Sequence, residues 1–255
     1  MVKAQLLIED VRLLARDAGR AILRYYGSSD TRKAVAWKEN DSPLTQADRD
    51  AHAVIADGLS RLAPDIPVLS EEGEIPAYDD RRDWKRFWLV DPLDGTKEFT
   101  KGIGEFTVNI ALIEDGAPVM GVVFAPVLDL LYWARAGAGS WREEGGGKAE
   151  RVFSGERPST GGRIIVQSRS HPSQELETYL GTIQVERRIS LGSSLKFCWV
   201  ADGRADVYPR FGPTMEWDVA AGDSIYRESV RSGRRQTPFT YNKRELRNGS
   251  FVLGG

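Results

Sequence analysis

The sequence predicts an α/β protein of the α+β kind, with two sheets and helix layers between and outside them. Three observations predict it. Strand-like text runs from Phe106 to Tyr132 and turns at Glu114-Asp115-Gly116, a hairpin signal between apolar runs. From Arg163 onward strands and helices alternate. In the first half, Phe87-Trp88-Leu89-Val90 reads as a buried strand that stops abruptly at an acid, Asp91.

Leu7, Val11, Leu14, Ala15, Ala18, Ala21, Ile22 and Tyr25 recur at helical spacing, which predicts an amphipathic helix over 5–26 closed by Gly27. After a polar stretch over 38–48, Thr45 caps a second helix with Val54, Ile55, Leu59 and Leu62 on one face. Asp48 falls in its first turn, where the helix dipole favours a negative charge, so a purely structural role also accounts for it. Val68-Leu69-Ser70 is a short strand running into Glu71-Glu72. Adjacent acids repel there, and either a bound cation or loop solvation offsets the cost. The strand through Val90 should end at Pro92, which has no ladder N–H. Gly95 then frees a turn and Thr96 begins a helix. The hairpin joins 107–113 to 119–124. The glycine-rich stretch 137–147 reads as a mobile surface connection, and a soft boundary lies near 154–162. Beyond it, 163–167, 185–191 and 205–208 read as strands and 174–180 as a helix. Ser193 or Ser194 caps a helix through Ala201, and Trp217 to Gly222 opens the last one.

A chain of 255 residues holds one large domain or two modest ones. Its net charge of −2 gives no reason to expect nucleic acid as a partner. The single cysteine, Cys198, permits no internal disulfide and fits a reducing compartment. The N-terminus quickly becomes charged and is no secretory signal, and no stretch suits a bilayer span. A soluble cytoplasmic protein is expected, with peripheral association at the inner membrane left open.

The acids Glu71, Asp91, Asp94 and Asp218 end strands or begin helices, where a scaffold presents side chains in a crevice. All are hard oxygen donors, which favour Mg²⁺, Mn²⁺ or Ca²⁺ over zinc. Two such cations clamp the attacking and leaving oxygens of a phosphoryl displacement. N–H groups around Gly95 add a place for phosphate. Read blandly, Asp91 and Asp94 are solvated acids in a Pro-Gly turn and Asp218 is a helix cap. Other phosphatase designs fit poorly. Cys198 lies mid-helix among apolar residues, so it reads as core. Asp91 and Asp94 are three apart, where a phospho-aspartate design needs two. Neither histidine supports a phosphohistidine route, since His52 lies in a charged helix as a surface residue and His171 follows Ser168-Arg169-Ser170. No P-loop is present. Metal-activated water remains.

Glu71-Glu72, then Asp91-Pro92-Leu93-Asp94-Gly95-Thr96, then Trp217-Asp218-Val219-Ala220-Ala221-Gly222 resembles the Mg²⁺-dependent, lithium-sensitive phosphatases of the inositol monophosphatase superfamily. The resemblance covers nearly the whole chain. Residues 93–99, 104–111, 168–171, 192–198 and 208–214 make it most similar to bacterial 3'(2'),5'-bisphosphate nucleotidases. It implies a layered αβαβα sugar-phosphatase fold, with a mixed or antiparallel N-terminal sheet and a second, C-terminal α/β sheet. Residues 1–155 would carry most metal ligands and 156–255 would carry Asp218 and the specificity residues, as one compact catalytic unit. By the same resemblance Glu71, Asp91 and the Leu93 carbonyl hold one Mg²⁺, while Asp91, Asp94 and Asp218 hold a second. Asp48 helps a third, weaker cation or its water. Thr96 and Glu71 orient the attacking water, and the Gly95 and Thr96 N–H groups bind phosphate. Ser193, Lys196 and Arg210, with His171 nearby, contact a nucleotide and its other phosphate. A planar guanidinium and a lysine suit a doubly phosphorylated ligand. The implied substrate is adenosine 3',5'-bisphosphate, with 3'-phosphoadenylyl sulfate as a relative and sulfur assimilation as the setting. An inositol monophosphatase, a fructose-1,6-bisphosphatase and a non-catalytic nucleotide-binding protein are the competing readings. The charged run 226–235 departs from the family pattern, which leaves the packing of the last helix open.

Overall fold

The computed structural model describes residues 2–27, 35–37, 43–155, 161–171 and 173–254. Helix α1 (Val2–Leu23) starts earlier than its periodicity predicts and unwinds into a turn before Gly27. Strands β1 (Val35–Trp37) and β2 (Pro43–Thr45) pair antiparallel and lead into α2 (Gln46–Leu62). The side chain of Thr45, expected as a cap, lies outside the described residues, as does the polar stretch 38–42. On α1 Val11, Ala15, Ala18 and Ile22 are fully buried, while Leu13 on the opposite face is 62% exposed. On α2 the buried face is Ala47, Ala51, Ile55 and Leu59, so the expected stripe is rotated away from Leu62. His52 on this helix is half-buried rather than a surface residue, with Nδ1 2.9 Å from Ser70 Oγ.

β3 (Val68–Ser70), α3 (Tyr78–Arg81), β4 (Arg86–Asp94) and α4 (Thr96–Thr100) follow. Then come β5 (Thr107–Glu114), β6 (Ala117–Ala125), β7 (Leu130–Arg135), β8 (Gly139–Glu144) and β9 (Glu150–Val152). The seven strands form one sheet in chain order, with β3 and β4 parallel and every later pair antiparallel, the mixed sheet expected. Alternation along β4 decides its two faces. Trp88 and Val90 join the core under α1 and α2, while Phe87 and Leu89 join the core on the other side.

Two expectations need correction here. β4 does not stop at Pro92. Asp91 lies opposite Asn109 and Asp94 opposite Thr107, so β4 holds one extra residue there. Such a bulge tolerates a residue without an N–H. Residues 137–147 are not a bare connection either, since β8 occupies most of them and pairs on both edges. The glycines lie in the turns flanking a genuine strand.

The second half contains β10 (Arg163–Ser168), α5 (Gln174–Leu180), β11 (Val185–Leu191), α6 (Leu195–Ala201) and β12 (Val207–Arg210). It ends with β13 (Thr214–Met215), α7 (Glu216–Glu228), β14 (Arg247–Asn248) and β15 (Phe251–Gly254). Its four-stranded sheet runs β11-β10-β12-β15, parallel except for β15. The expected boundary at 154–162 falls partly on residues outside those described. Three cores set the layers. α1 and α2 cover one face of the large sheet, α6 and α7 fill the space between the sheets, and Leu176 and Leu180 of α5 cover Ile165 and Val207 on the far face. This is an αβαβα layering. None of the described helices is long and apolar enough to cross a membrane.

The charged run after Ile225 leaves the last helix packed: residues 226–229 are buried, and 231–233 are exposed. Arg227 Nε lies 3.0 and 2.9 Å from the two Asp223 oxygens, and Tyr241 donates to Asp223 at 2.7 Å, all in the interior. Glu228 accepts the Gly137 N–H at 3.0 Å and pairs with Arg234. The Arg235 N–H then bonds the Arg227 carbonyl at 2.9 Å, satisfying one of the helix's last acceptors. A buried charge is tolerable when paired and hydrogen-bonded, and these are.

Candidate active site

Four acids meet at the mouth of the large sheet. Glu71 follows β3, Asp91 and Asp94 end β4, and Asp218 sits in the first turn of α7. In a regular strand, residues three apart point to opposite faces. The extra residue at Pro92 breaks that alternation, and Asp91 and Asp94 line the same cleft. Carboxylate oxygens of Glu71, Asp91 and Asp218 all lie within 4.8 Å of one another. Asp94 stands outside that tight group, yet its charge acts on both Asp91 and Asp218. Burial first, then Glu71, Asp94, Asp218 and Asp48, push the Asp91 carboxyl well above the usual range. Burial, Asp94 and Glu71 do the same to Asp218. Such a cluster is costly as bare carboxylates, and a hard divalent cation offsets the cost. The donor set fits that ion.

Local bonds aim these groups. Asp91 Oδ1 accepts the Leu93 N–H at 3.1 Å. Asp218 Oδ2 accepts the Met215 N–H at 2.8 Å, so the residue is a helix cap and a cluster member together. Asp48 is buried in the first turn of α2 and does not line the cleft, although its charge reaches Asp91. Gly95 has φ +97° at the N-cap of α4, a left-handed conformation that side chains resist. A Cβ there would come within 3.2–3.3 Å of Phe106 and the Glu105 carbonyl. The Thr96 hydroxyl lies 3.5 Å from the Leu93 carbonyl, too far to be held firmly.

The same cleft carries cations from the second half of the chain. Lys196 is 5% exposed, and its Nζ donates to the Leu191 and Ser193 carbonyls. Burial lowers its pKa to about 8. Arg210 donates to the Pro213 carbonyl at 3.1 Å. Neither has a carboxylate at salt-bridge distance among the described residues. His171 lies at the exposed rim, with Nδ1 3.0 Å from Ser168 Oγ. Partial loss of water, then Arg210, Lys97 and Lys196, bring its pKa down to about 4. Ser193 has φ +56°, and its hydroxyl meets that of Thr107. Of the site residues expected from sequence, Glu71, Asp91, Leu93, Asp94, Gly95, Thr96, His171, Ser193, Lys196, Arg210 and Asp218 line one cleft of about 280 Å³, and only Asp48 stands behind it.

Several residues that organise this cleft escaped sequence reasoning. Asn109 donates to Ser194 Oγ at 3.0 Å and approaches Asp94 at 3.4 Å, while Thr107 donates to Asn109 at 2.8 Å. Ser194 in turn donates to the Asp218 carbonyl at 2.7 Å. It occupies the N-cap position of α6 but makes no side-chain cap there, contrary to expectation. Glu105 accepts Arg169 through two bonds and the Gly192 N–H at 2.9 Å, and Glu98 accepts Ser170. These contacts tie the acid-bearing loop to the cationic wall. Thr107 and Asn109 were the findable ones. They are polar residues two apart in an apolar strand, hence on one face.

The chain matches the inositol monophosphatase family over residues 3–250. It is 53% identical over 219 residues to the 3'(2'),5'-bisphosphate nucleotidase CysQ of Salmonella typhimurium, covering 86% of each chain. Against CysQ of Escherichia coli K12 the identity is 50% with the same coverage. Among solved structures, CysQ from Bacteroides thetaiotaomicron, described as a bacterial member of the inositol monophosphatase family, superposes with a TM-score of 0.80 at 43% identity, covering 94% of this chain and 93% of that one. An IMPase from Thermotoga maritima gives 0.73 at 27% identity, covering 90% and 84%. The layered fold, the acid cluster and these matches agree: the chain belongs to the inositol monophosphatase family.

Proposed function

We propose that the protein is a metal-dependent 3'(2'),5'-bisphosphate nucleotidase that hydrolyses the 3'-phosphate of adenosine 3',5'-bisphosphate to AMP and phosphate. The observation that carries this is one cleft lined by two kinds of charge. It holds the acid cluster together with Lys196 and Arg210, which have no acid at salt-bridge distance among the described residues. A ligand with two anionic groups, one for a cation held by the acids and one for Lys196 and Arg210, matches both, and the relatives' nucleotidase activity supports the assignment.

Glu71, Asp91 and the Leu93 carbonyl would hold one Mg²⁺, and Asp91, Asp94 and Asp218 a second. Asp48, behind the cleft, would support a third. Cations bound here supply a Lewis acid that activates water and screens phosphoryl charge. Glu71 and the Thr96 hydroxyl would orient the attacking water. The Gly95 and Thr96 N–H groups would bind the oxygens of the transferred phosphoryl group. Ser193, Lys196 and Arg210 would hold the remaining nucleotide and its second phosphate, with His171 at the rim. The two halves, 1–155 and 156–255, would act as one unit, because the cleft takes residues from both. Inhibition by Li⁺, use of 3'-phosphoadenylyl sulfate and a cytoplasmic place in sulfur assimilation accompany this reading.

The test is phosphate release from adenosine 3',5'-bisphosphate and inositol 1-phosphate in parallel, with Mg²⁺, with chelator and with Li⁺. Mg²⁺-dependent, Li⁺-inhibited release from the nucleotide is expected. Preference for the inositol ester would keep the acid centre and overturn the substrate assignment. Release that survives the chelator would overturn the metal.

A further inference from the structure

A third cation borders the same cleft. Lys97, the residue after Thr96 in α4, is exposed at the cleft, and its Nζ lies 3.4 Å from His171 Nε2. An ammonium has donors only, so Nε2 accepts. The ring proton is therefore on Nδ1, donated to Ser168 Oγ at 3.0 Å. His171 is a neutral hub that feels Arg210, Lys97 and Lys196 together, and partial burial first, then their charges, keep it neutral.

Nothing acidic claims Lys97. It has no carboxylate at salt-bridge distance among the described residues, although Glu98 is its neighbour in the chain and Glu105 acts on Lys196. Glu98 is taken by Ser170, and Glu105 by Arg169 and the Gly192 N–H. Acids act on Lys196 from nearby, yet among the described residues none is at salt-bridge distance from Lys97, Lys196 or Arg210, so the three like charges repel one another and a bound anion relieves that repulsion. The mount is also firm. Glu98 holds Ser170 and Glu105 holds Arg169, the two residues between Ser168 and His171. The same short helix thus reaches across the seam twice, through Glu98 to Ser170 and through Lys97 to His171.

We propose that Lys97 is a specificity-determining residue that contacts the phosphate not transferred, together with Lys196 and Arg210, and that His171 is the positioning residue presenting its ammonium. This rests on the bisphosphate nucleotidase reading above. The competing role for Lys97, next to Thr96, is a contact with the transferred group, and substrates that differ only in the second phosphate separate the two.

The experiment compares the full-length protein with Lys97→Met, Lys97→Arg and His171→Ala in Mg²⁺, on adenosine 3',5'-bisphosphate and adenosine 3'-monophosphate. Hydrogen bonds to charged groups predict a KM for the bisphosphate about ten- to a hundredfold higher in Lys97→Met, a much larger change than for the monophosphate. Lys97→Arg restores most of it, and His171→Ala gives a smaller shift in the same direction. Competitive inhibition by AMP, which keeps only the 5'-phosphate, weakens by a similar factor in Lys97→Met. Equal losses on both substrates, a fall in kcat with KM unchanged, or undiminished AMP inhibition would overturn the assignment. If the wild type itself does not prefer the bisphosphate, the nucleotidase reading fails. If it does and Lys97→Met keeps the preference, only the role of Lys97 fails.

Discussion

Replacing Asp91 by asparagine should stabilise the metal-free protein while destroying its activity. The side chain is buried, and the acceptor for the Leu93 N–H survives the change, because an amide oxygen can take the place of Oδ1. What changes is charge. Oxygens of Glu71 and Asp218 lie within 4.8 Å, where two unit charges repel by about 3.5 kcal/mol at an effective dielectric of 20. Protonation limits the penalty within the cluster: neutralising one carboxyl of ordinary pKa at pH 7.5 costs about 5 kcal/mol. Removing one of the acids should therefore return on the order of 3 kcal/mol, a rise of roughly 6–12 °C in Tm at this chain size. The assay is thermal unfolding of both proteins in chelator and in saturating Mg²⁺, beside phosphate release. Wild type gains about 2.7 kcal/mol when the cation is at a hundred times its Kd, and the variant gains little. Turnover should fall about a thousandfold, the loss of some 4 kcal/mol of transition-state stabilisation. Most buried substitutions destabilise, so the direction is diagnostic. A variant less stable than wild type in chelator, or one that keeps its Mg²⁺ response, would refute the reasoning.

Because the Asp91 and Asp218 pKa values are raised in the fold, their ionisation costs the metal-free protein stability as pH rises through those values. The Tm gain from Mg²⁺ should accordingly grow from acid to neutral pH, and a gain independent of pH would contradict it. Lys196 loses its charge above about pH 8. The preference in kcat/KM for adenosine 3',5'-bisphosphate over the 3'-monophosphate should therefore decline above that pH, and the decline should vanish in Lys196→Met. Arg227→Met leaves Asp223 buried without its cation, which should lower stability by about 3–5 kcal/mol in denaturant unfolding. In Gly192→Ala the new Cβ would sit 2.2 Å from the Glu105 carbonyl. The seam must move, costing about 1–3 kcal/mol and raising KM for the bisphosphate. An unchanged KM would show that the seam does not position the cationic wall.

Local periodicity and chemistry made much of this protein legible. The spacing of Val11, Ala15, Ala18 and Ile22 specifies a buried helical stripe whatever it packs against, and α5 and β11 fall on their predicted residues. The motifs around Glu71, Asp91 and Asp218 named the acids together, because each alone also reads as a solvated turn or a helix cap and only their combination and order is specific. Sequence could not say whether Pro92 would end β4 or be absorbed by it, since that depends on the register of β5. The same bulge brings Asp91 and Asp94 into one cleft, which a three-residue spacing in a regular strand forbids. Nor could sequence show that Arg227 would find Asp223 and Tyr241 in the interior. Asn109, Ser194 and Glu105 read as ordinary polar residues until residues more than eighty positions away meet them. Periods of two and 3.6 are properties of a single segment. Which side chains converge across the cleft is a property of the layers, fixed only when both sheets close on α6 and α7.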